Sequence, residues 1–310
     1  MDWSKYYNEK TCTLKVPHKY REKLANLPNG VKTIKFLMDL FDEHKDLNFH
    51  GFKDFPSSIT HLELPNEYNK PLNMPLPLSI TYLKFGYKFN QPINKGNLPK
   101  NLTHLIFGYE FNQPINKDNL PENLTYLTFE CKFNQPLNKG DLPENLTHLK
   151  FSHYFNQPIN EGVLPNSITH LTLGQRFDQP VNKCVLPNSI SHLTLGHWFN
   201  QSVDNLPHTI THLDLGYSFN QSIDNIPPSV IHLSFWGHHS FKNCIPVNVE
   251  YLTIEFADDE SEEDEEEIDN YIYNIPHHIK EIIIYSEYNK NFLKKIPLGC
   301  NITVKNKFFS

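Results

Sequence analysis

Apolar and polar positions follow a pattern that returns every 22 residues along most of the chain. One turn of this pattern holds six apolar side chains, and these are Leu98, Leu102, Leu105, Phe107, Phe111 and Ile115. Leu105 and Phe107 are separated by one residue, as expected for a strand with one buried face. The phenylalanine at position 111 recurs in other turns, at Phe89, Phe133, Phe155, Phe177 and Phe199, and then at Phe219 and Phe241. The pattern predicts a repeat solenoid in which each turn contributes one strand to a parallel sheet.

Prolines mark the same repeat. A proline that follows an apolar residue occurs at Pro28, Pro56, Pro77, Pro99, Pro121, Pro143, Pro165, Pro187, Pro207, Pro227, Pro246, Pro276 and Pro297. A turn carries two prolines, for example Pro92 and Pro99, and proline lacks the amide donor that a helix interior needs. We therefore expect a parallel β-sheet on the concave face, an irregular, Pro-rich convex side and few helices.

The spacing of these markers predicts how the chain is organised. Residues 1–26 precede the first marker and are expected to form an N-terminal cap segment, with a short basic helix beginning near Lys15. Residues 27–310 are expected to form a solenoid of about 13 turns. Its regular core is 55–241, and degenerate turns follow at 270–310. The wide gap between Pro246 and Pro276 holds an acidic insertion at 258–269, which we expect to loop out.

Charge and composition restrict the possible partners. The net charge is −7, from 28 basic and 35 acidic residues, but ten of the acids lie between Asp258 and Asp269 with no base among them. The rest of the chain is nearly neutral, which argues against nucleic-acid binding. There is no apolar run of membrane-spanning length and no signal-like segment at the N-terminus, so we predict a cytoplasmic protein without a membrane partner. The five cysteines never occur in CxxC spacing and fit reduced thiols.

The sequence contains no motif that is typical of a catalytic site. Histidine and threonine recur in the same place in turn after turn, whereas an active site needs one unique, preorganised cluster. We therefore predict that the chain is not an enzyme and takes no cofactor.

An asparagine follows the recurrent phenylalanine in almost every turn. We predict that these residues form a structural Asn ladder in which a short amide bonds the backbone of its own bend and of the next turn. Asp178 is the one substitution in the series. The ladder residues are Asn90, Asn112, Asn134, Asn156, Asn200 and Asn220.

A column of rings is expected on the exposed face of the sheet. Its members each follow a Thr, Ser or Ile, and we call them the ring spine: His104, Tyr126, His148, His170, His192, His212 and His232. Parallel strands about 4.8 Å apart would stack these rings. Three interpretations stay open, namely ring packing inherited by repeat duplication, a protein-binding strip, and metal binding by neighbouring histidines.

The repeated segments Phe-Asn-Gln-Pro-Ile and Leu-Pro-x-x-Leu-Thr-His-Leu resemble the FNIP repeat, a family known mainly from social amoebae and from giant viruses that infect amoebae. The resemblance implies an LRR-like solenoid that binds a protein partner. Some members of the family carry an F-box, which implies an alternative role as the substrate-recognition subunit of a ubiquitin-ligase-type assembly. A short adaptor-binding helix in residues 1–26 would favour that alternative. Our prediction is a non-catalytic protein-binding scaffold that uses a surface of the repeat array.

Overall fold

The structure is a computed structural model, and it describes residues 2–17, 27–36, 55–72, 76–182, 184–236, 245–255, 273–285, 293–294 and 296–305. The acidic insertion at 258–269 lies outside these ranges, as do Lys183, Phe241 and Cys244. The chain divides into two compact units, residues 1–168 and 169–310.

The first unit contains one sheet in which seven parallel strands follow one another in chain order after a short antiparallel strand. The strands are β1 (Tyr7–Asn8), β2 (Thr13–Val16), β3 (Thr33–Phe36), β4 (His61–Glu63), β5 (Tyr82–Lys84), β6 (His104–Phe107), β7 (Tyr126–Phe129) and β8 (His148–Lys150). β1 pairs antiparallel with β2, and each later strand pairs in parallel with the strand before it.

The second unit repeats this arrangement. Its strands are β9 (His170–Thr172), β10 (His192–Thr194), β11 (His212–Asp214), β12 (His232–Trp236), β13 (Tyr251–Glu255), β14 (Tyr273–Asn274), β15 (Glu281–Ile284), β16 (Leu293–Lys294) and β17 (Asn301–Val304). β9 to β13, β15 and β17 form one parallel sheet in chain order, and β14 and β16 form a separate parallel pair.

Equivalent residues of successive turns are paired in register. Leu105 lies opposite Leu127, and Leu127 lies opposite Leu149. All six apolar positions of the turn from Leu98 to Ile115 are buried. Their rings also stack from turn to turn, with 5.4 Å between the centroids of Phe107 and Phe129 and 6.1 Å between those of Phe111 and Phe133.

The return path is irregular, as the prolines predicted. The amide of Leu102 donates to the carbonyl of Pro99 at 3.0 Å, and this turn leads the chain back into the next strand. No helix occurs in the described residues, and therefore none there is long and apolar enough to cross a membrane. The prediction of a repeat solenoid with a parallel sheet and an irregular Pro-rich side is confirmed.

The N-terminal segment differs from the expectation in one respect. Lys15 and Val16, where we expected a helix to begin, lie in β2, which pairs in parallel with β3. The physical reason is that Leu14 and Val16 alternate with the less buried Thr13 and Lys15 and both become buried, so a strand satisfies them. Trp3, which precedes β1, is also buried. Residues 18–26 lie outside the described ranges.

Glycine follows the strand where successive turns approach most closely. A Cβ atom on Gly196 would lie far inside van der Waals contact of the carbonyl oxygen of Gly174, and one on Gly216 would meet the carbonyl oxygen of Gly196 in the same way. The obstruction is backbone, which cannot swing aside as a side chain can. The spacing between turns is therefore fixed at this point by the absence of a side chain.

We expect Gly196→Ala to destabilise the protein by about 3 kcal/mol or more, because the added methyl group forces two backbones apart. Gly96→Ala is the matched control. A Cβ atom there meets open space, and its positive φ of 83° is expected to cost only about 1 kcal/mol. Urea unfolding followed by circular dichroism measures both variants. If both variants lost the same free energy of unfolding, the close approach of two backbones would not be the reason for glycine at position 196.

Candidate functional site

The ring spine lies at the first residue of successive strands, and its rings stack in each unit. In the first unit, the ring of Tyr126 lies 4.3 Å from that of His104 and 4.1 Å from that of His148. In the second unit, His170 and His192 are 4.2 Å apart, and His212 lies 4.0 Å from both His192 and His232. The interplanar angles are 8–19°. The sheet register thus brings the predicted residues together as two stacks of partly exposed rings.

A column of hydroxyl groups fixes how the histidines carry their protons. The Thr103 Oγ1 donates to the carbonyl of Thr81 at 3.0 Å and lies 2.9 Å from Nδ1 of His104. Because its only proton is used on the carbonyl, the hydroxyl accepts from Nδ1. The neutral ring therefore holds its proton on Nδ1 and presents Nε2 as an acceptor. Thr147 and Thr211 repeat this geometry.

Sequence reasoning missed the role of this hydroxyl. The signal was present, because a threonine or serine precedes most histidines of the spine. His232 differs, since Ile231 stands before it and offers no hydroxyl.

Burial and like charges disfavour protonation of four histidines of the spine. Burial lowers the pKa of His104, His192 and His232. The charge of His61 lowers the pKa of His104 further, and the charges of His170 and His232 do the same for His192. Burial and the adjacent histidines lower the pKa of His212 to about 4. Stacked imidazoles repel one another once protonated, so each ring discourages protonation of the next.

The row of side chains next to the spine differs between the units. In the first unit it contains Lys35, which pairs with Glu63 at 2.6 Å, and Lys84, which pairs with Glu130 at 2.8 Å. In the second unit the equivalent residues are Thr172, Thr194, Asp214, Ser234 and Thr253. Burial and the nearby charge of Glu255 raise the pKa of Asp214 to about 7.

A second set of rings lies just beyond the strands, and the sequence analysis did not identify it. Tyr87 and Tyr109 stack at 4.5 Å in the first unit, and His197 and Tyr217 stack at 4.7 Å in the second. Trp236 stands edge-on to Tyr217, with 5.0 Å between centroids. The signal was the ring that recurs directly after the glycine that follows the strand, as in Gly86-Tyr87 and Gly216-Tyr217.

Trp198 is the most exposed of the rings beside the strands, at 54%. The guanidinium of Arg176 lies 5.1 Å from its centroid, in a cation–π arrangement.

Side chains of the Asn ladder bond the turn that follows at Asn90, Asn112, Asn134 and Asn200. Asn90 Oδ1 accepts from the backbone amide of Asn112 at 2.9 Å and from Nε2 of Gln113 at 3.0 Å. Asn112 and Asn134 repeat this pair of bonds toward the next turn, and so does Asn200. The recurrent glutamine is the partner that the sequence analysis overlooked.

Asp178 explains why the ladder tolerates one substitution. Its Oδ1 accepts from the amide of Asn200 at 2.9 Å and from Nε2 of Gln201 at 3.0 Å, as an asparagine oxygen does elsewhere. The position therefore requires an acceptor oxygen rather than an amide.

Within the described ranges, no group of three or more His, Cys, Asp or Glu side chains is placed to hold a metal ion. The stacked imidazoles are nearly parallel, so their Nε2 lone pairs point side by side and do not converge on one point. The four described cysteines, Cys12, Cys131, Cys184 and Cys300, are free thiols.

Comparison with known proteins agrees with the repeat pattern. The model of the FNIP repeat family matches residues 51–88, 89–132, 133–176, 155–197, 177–218 and 199–237. The crystal structure of CroV588, a giant-virus protein described as a novel circular LRR protein, is 31% identical with a TM-score of 0.63. That match covers 90% of this chain and 47% of CroV588, so this chain spans about half of its length. The predicted resemblance to FNIP repeats and the LRR-like fold are confirmed.

The crystal structure of the pneumococcal vaccine antigen PcpA is 12% identical with a TM-score of 0.20, over 97% of this chain and 82% of that one. No curated protein matches the sequence.

We expect Asn134→Ala to lower the free energy of unfolding by about 1–3 kcal/mol, because the Asn156 amide and the Gln157 side chain lose their acceptor. Asn134→Asp is the matched control and should stay within about 0.5 kcal/mol of the unaltered chain, because an acceptor oxygen is retained. Urea unfolding measures both. A loss in Asn134→Asp as large as that in Asn134→Ala would refute the acceptor role.

The histidine spine predicts a loss of stability in acid. A histidine with a lowered folded-state pKa binds fewer protons than in the unfolded chain, so stability falls as the pH drops from about 6.5 toward 4. His212→Phe keeps a stackable ring and removes this titration. Its stability should therefore depend less steeply on pH, by at most about 1.4 kcal/mol per pH unit.

Urea unfolding at several pH values provides the measurement. His208→Phe, at an exposed histidine outside the spine, is the control for the change from histidine to phenylalanine, and the slope of His212→Phe is compared with it. Protonation of Asp214, whose pKa is raised, stabilises the folded state as the pH falls, which is opposite to the effect of the histidines. This contribution is present in all three proteins and cancels in the comparison. An unchanged slope in His212→Phe would contradict the expectation.

Proposed function

The chain belongs to the FNIP repeat family, and from that premise we propose that it is a non-catalytic scaffold that binds a protein partner through the ring spine. The observation that carries the proposal is the stacking of partly exposed rings at 4.0–4.3 Å in each unit. Stacked rings are held by their neighbours, so little conformational freedom is lost when a partner docks on them.

The chemistry of the spine supports this role. Each ring combines an apolar face, which the stack covers, with a polar edge, and such amphipathic rings anchor interfaces well. The fixed Nδ1–H tautomer means that several neighbouring rings present the same acceptor atom. A repeated, identical surface suits an extended partner better than a small substrate, which needs a single distinctive cluster.

We place this contact in the cytoplasm. The described cysteines are free thiols, which fits a reducing compartment.

The alternative of a substrate-recognition subunit for ubiquitin ligation depends on residues 1–26. The described part of that segment, residues 2–17, forms the β1–β2 hairpin and contains no helix. No contact in the described structure favours this alternative over a general scaffold.

The test is affinity purification with a triple variant, His170→Ala, His192→Ala and His212→Ala. We expect the amount of co-purifying partner to fall at least tenfold, because both the rings and their acceptor atoms are removed. The control triple variant is Asn166→Ala, Asn188→Ala and His208→Ala, which changes exposed residues directly after marker prolines of neighbouring turns. It should retain the partner.

Circular dichroism must first show that both triple variants keep their strands. If the spine variant is folded and recovers the full set of partner proteins, the ring spine is not the binding surface.

A further inference from the structure

The sheet of the second unit carries no positive charge in its strands. β9 to β13, β15 and β17 contain neither lysine nor arginine among their described residues. The first unit carries four lysines in equivalent strands, and these are Lys15, Lys35, Lys84 and Lys150. The repeat pattern therefore permits lysine on this face, and the second unit departs from it.

Carboxylates occupy the face instead. Asp214 lies beside Ser234 in the row next to the spine, and Glu281 continues the spine itself, opposite Tyr251. Glu255 lies opposite Trp236 at the ends of β12 and β13. Together they place three acidic side chains on one sheet without a basic residue in its strands.

The uncharged groups on this face are also acceptors. His192 and His212 hold their protons on Nδ1 against the hydroxyl column, so each presents Nε2 as a lone pair. Burial and mutual repulsion lower the pKa of these histidines, which keeps the lone pairs free of protons near neutral pH.

Aromatic rings complete one side of the surface. Trp236 stands edge-on to both Tyr217, at 5.0 Å, and His197, at 5.8 Å. Faces of tryptophan and tyrosine attract guanidinium and ammonium groups, and the Arg176–Trp198 pair shows this contact within the same unit.

We infer that this face of the second unit docks a basic polypeptide segment, whose arginine and lysine side chains donate to the imidazole Nε2 atoms and the carboxylates of Asp214, Glu255 and Glu281. The inference rests on the proposed function, because it uses the same spine and specifies the chemistry of its partner. The charge of the face excludes a phosphate backbone, so a nucleic acid is the wrong occupant.

The test uses the full chain and a fluorescent peptide of eight residues in which arginine alternates with serine. Fluorescence anisotropy at pH 8 and physiological salt gives the dissociation constant, since Asp214 is ionised and the histidines are neutral at that pH. The ten acids of residues 258–269 would also attract the peptide. All measurements are therefore made on a chain in which those acids are replaced by their amides.

Thr194→Lys introduces the cation that the equivalent position has in β5 and β8, and we expect it to weaken binding at least tenfold. Glu255→Gln keeps the shape of the side chain and should weaken binding three- to tenfold. The matched control is Thr128→Lys, which adds the same charge at the same row position of β7 in the first unit. It should change the dissociation constant less than twofold.

Several results would overturn the inference. These are no binding of the arginine peptide, equal losses in Thr194→Lys and Thr128→Lys, no loss in Glu255→Gln, or tighter binding of a glutamate peptide or a single-stranded oligonucleotide. If any of these results is obtained while the triple spine variant still loses its partners in the affinity purification, the spine binds a protein that is not basic. If both experiments fail, the proposed function fails as well.

Discussion

The constraint on which this structure depends is the hydrogen-bonded distance between neighbouring parallel strands. Each turn takes 20 to 22 residues in the regular part of the chain, so equivalent atoms of successive turns lie one strand spacing apart. Any side chain that recurs must therefore touch its own copy. Buried phenylalanines, bonded asparagines and stacked imidazoles are three consequences of the same spacing, and the glycines after the strands keep the backbones close enough to maintain it.

A single turn is not stable by itself in such an arrangement. Leu105 is fully buried because turns lie on either side of it, and the Asn112 amide is satisfied only by the turn that precedes it. Stability is then a property of neighbouring pairs, as in other repeat proteins. Positions that neither the ladder nor the core uses are free of this constraint. The row that holds Lys84 in one turn and Thr194 in another is such a position.

Much of the fold followed from the sequence because periodicity reports directly on repeated contacts. The strand positions, the buried set around Leu105 and the ring stack were predictable from spacing alone. Other features were not, because they depend on hydrogen direction or on pairs of residues. The role of Thr103 requires knowing that its hydroxyl already donates to Thr81, and the role of Gln113 requires seeing it share an acceptor with Asn112. The strand at Lys15 was missed because one isolated turn offers no repeat to compare.

The bonds of the Asn ladder have a consequence for how the gene changes. Each bond joins a turn only to the turn before it, so the two surfaces left after loss of a whole turn already fit each other. Unequal recombination between copies of the repeat can then shorten or lengthen the coding sequence in frame without a new interface having to evolve. Recombination changes the position along the sheet of residues that depart from the repeat, since Asp214 or Trp236 would be carried to a different distance from the end of its sheet.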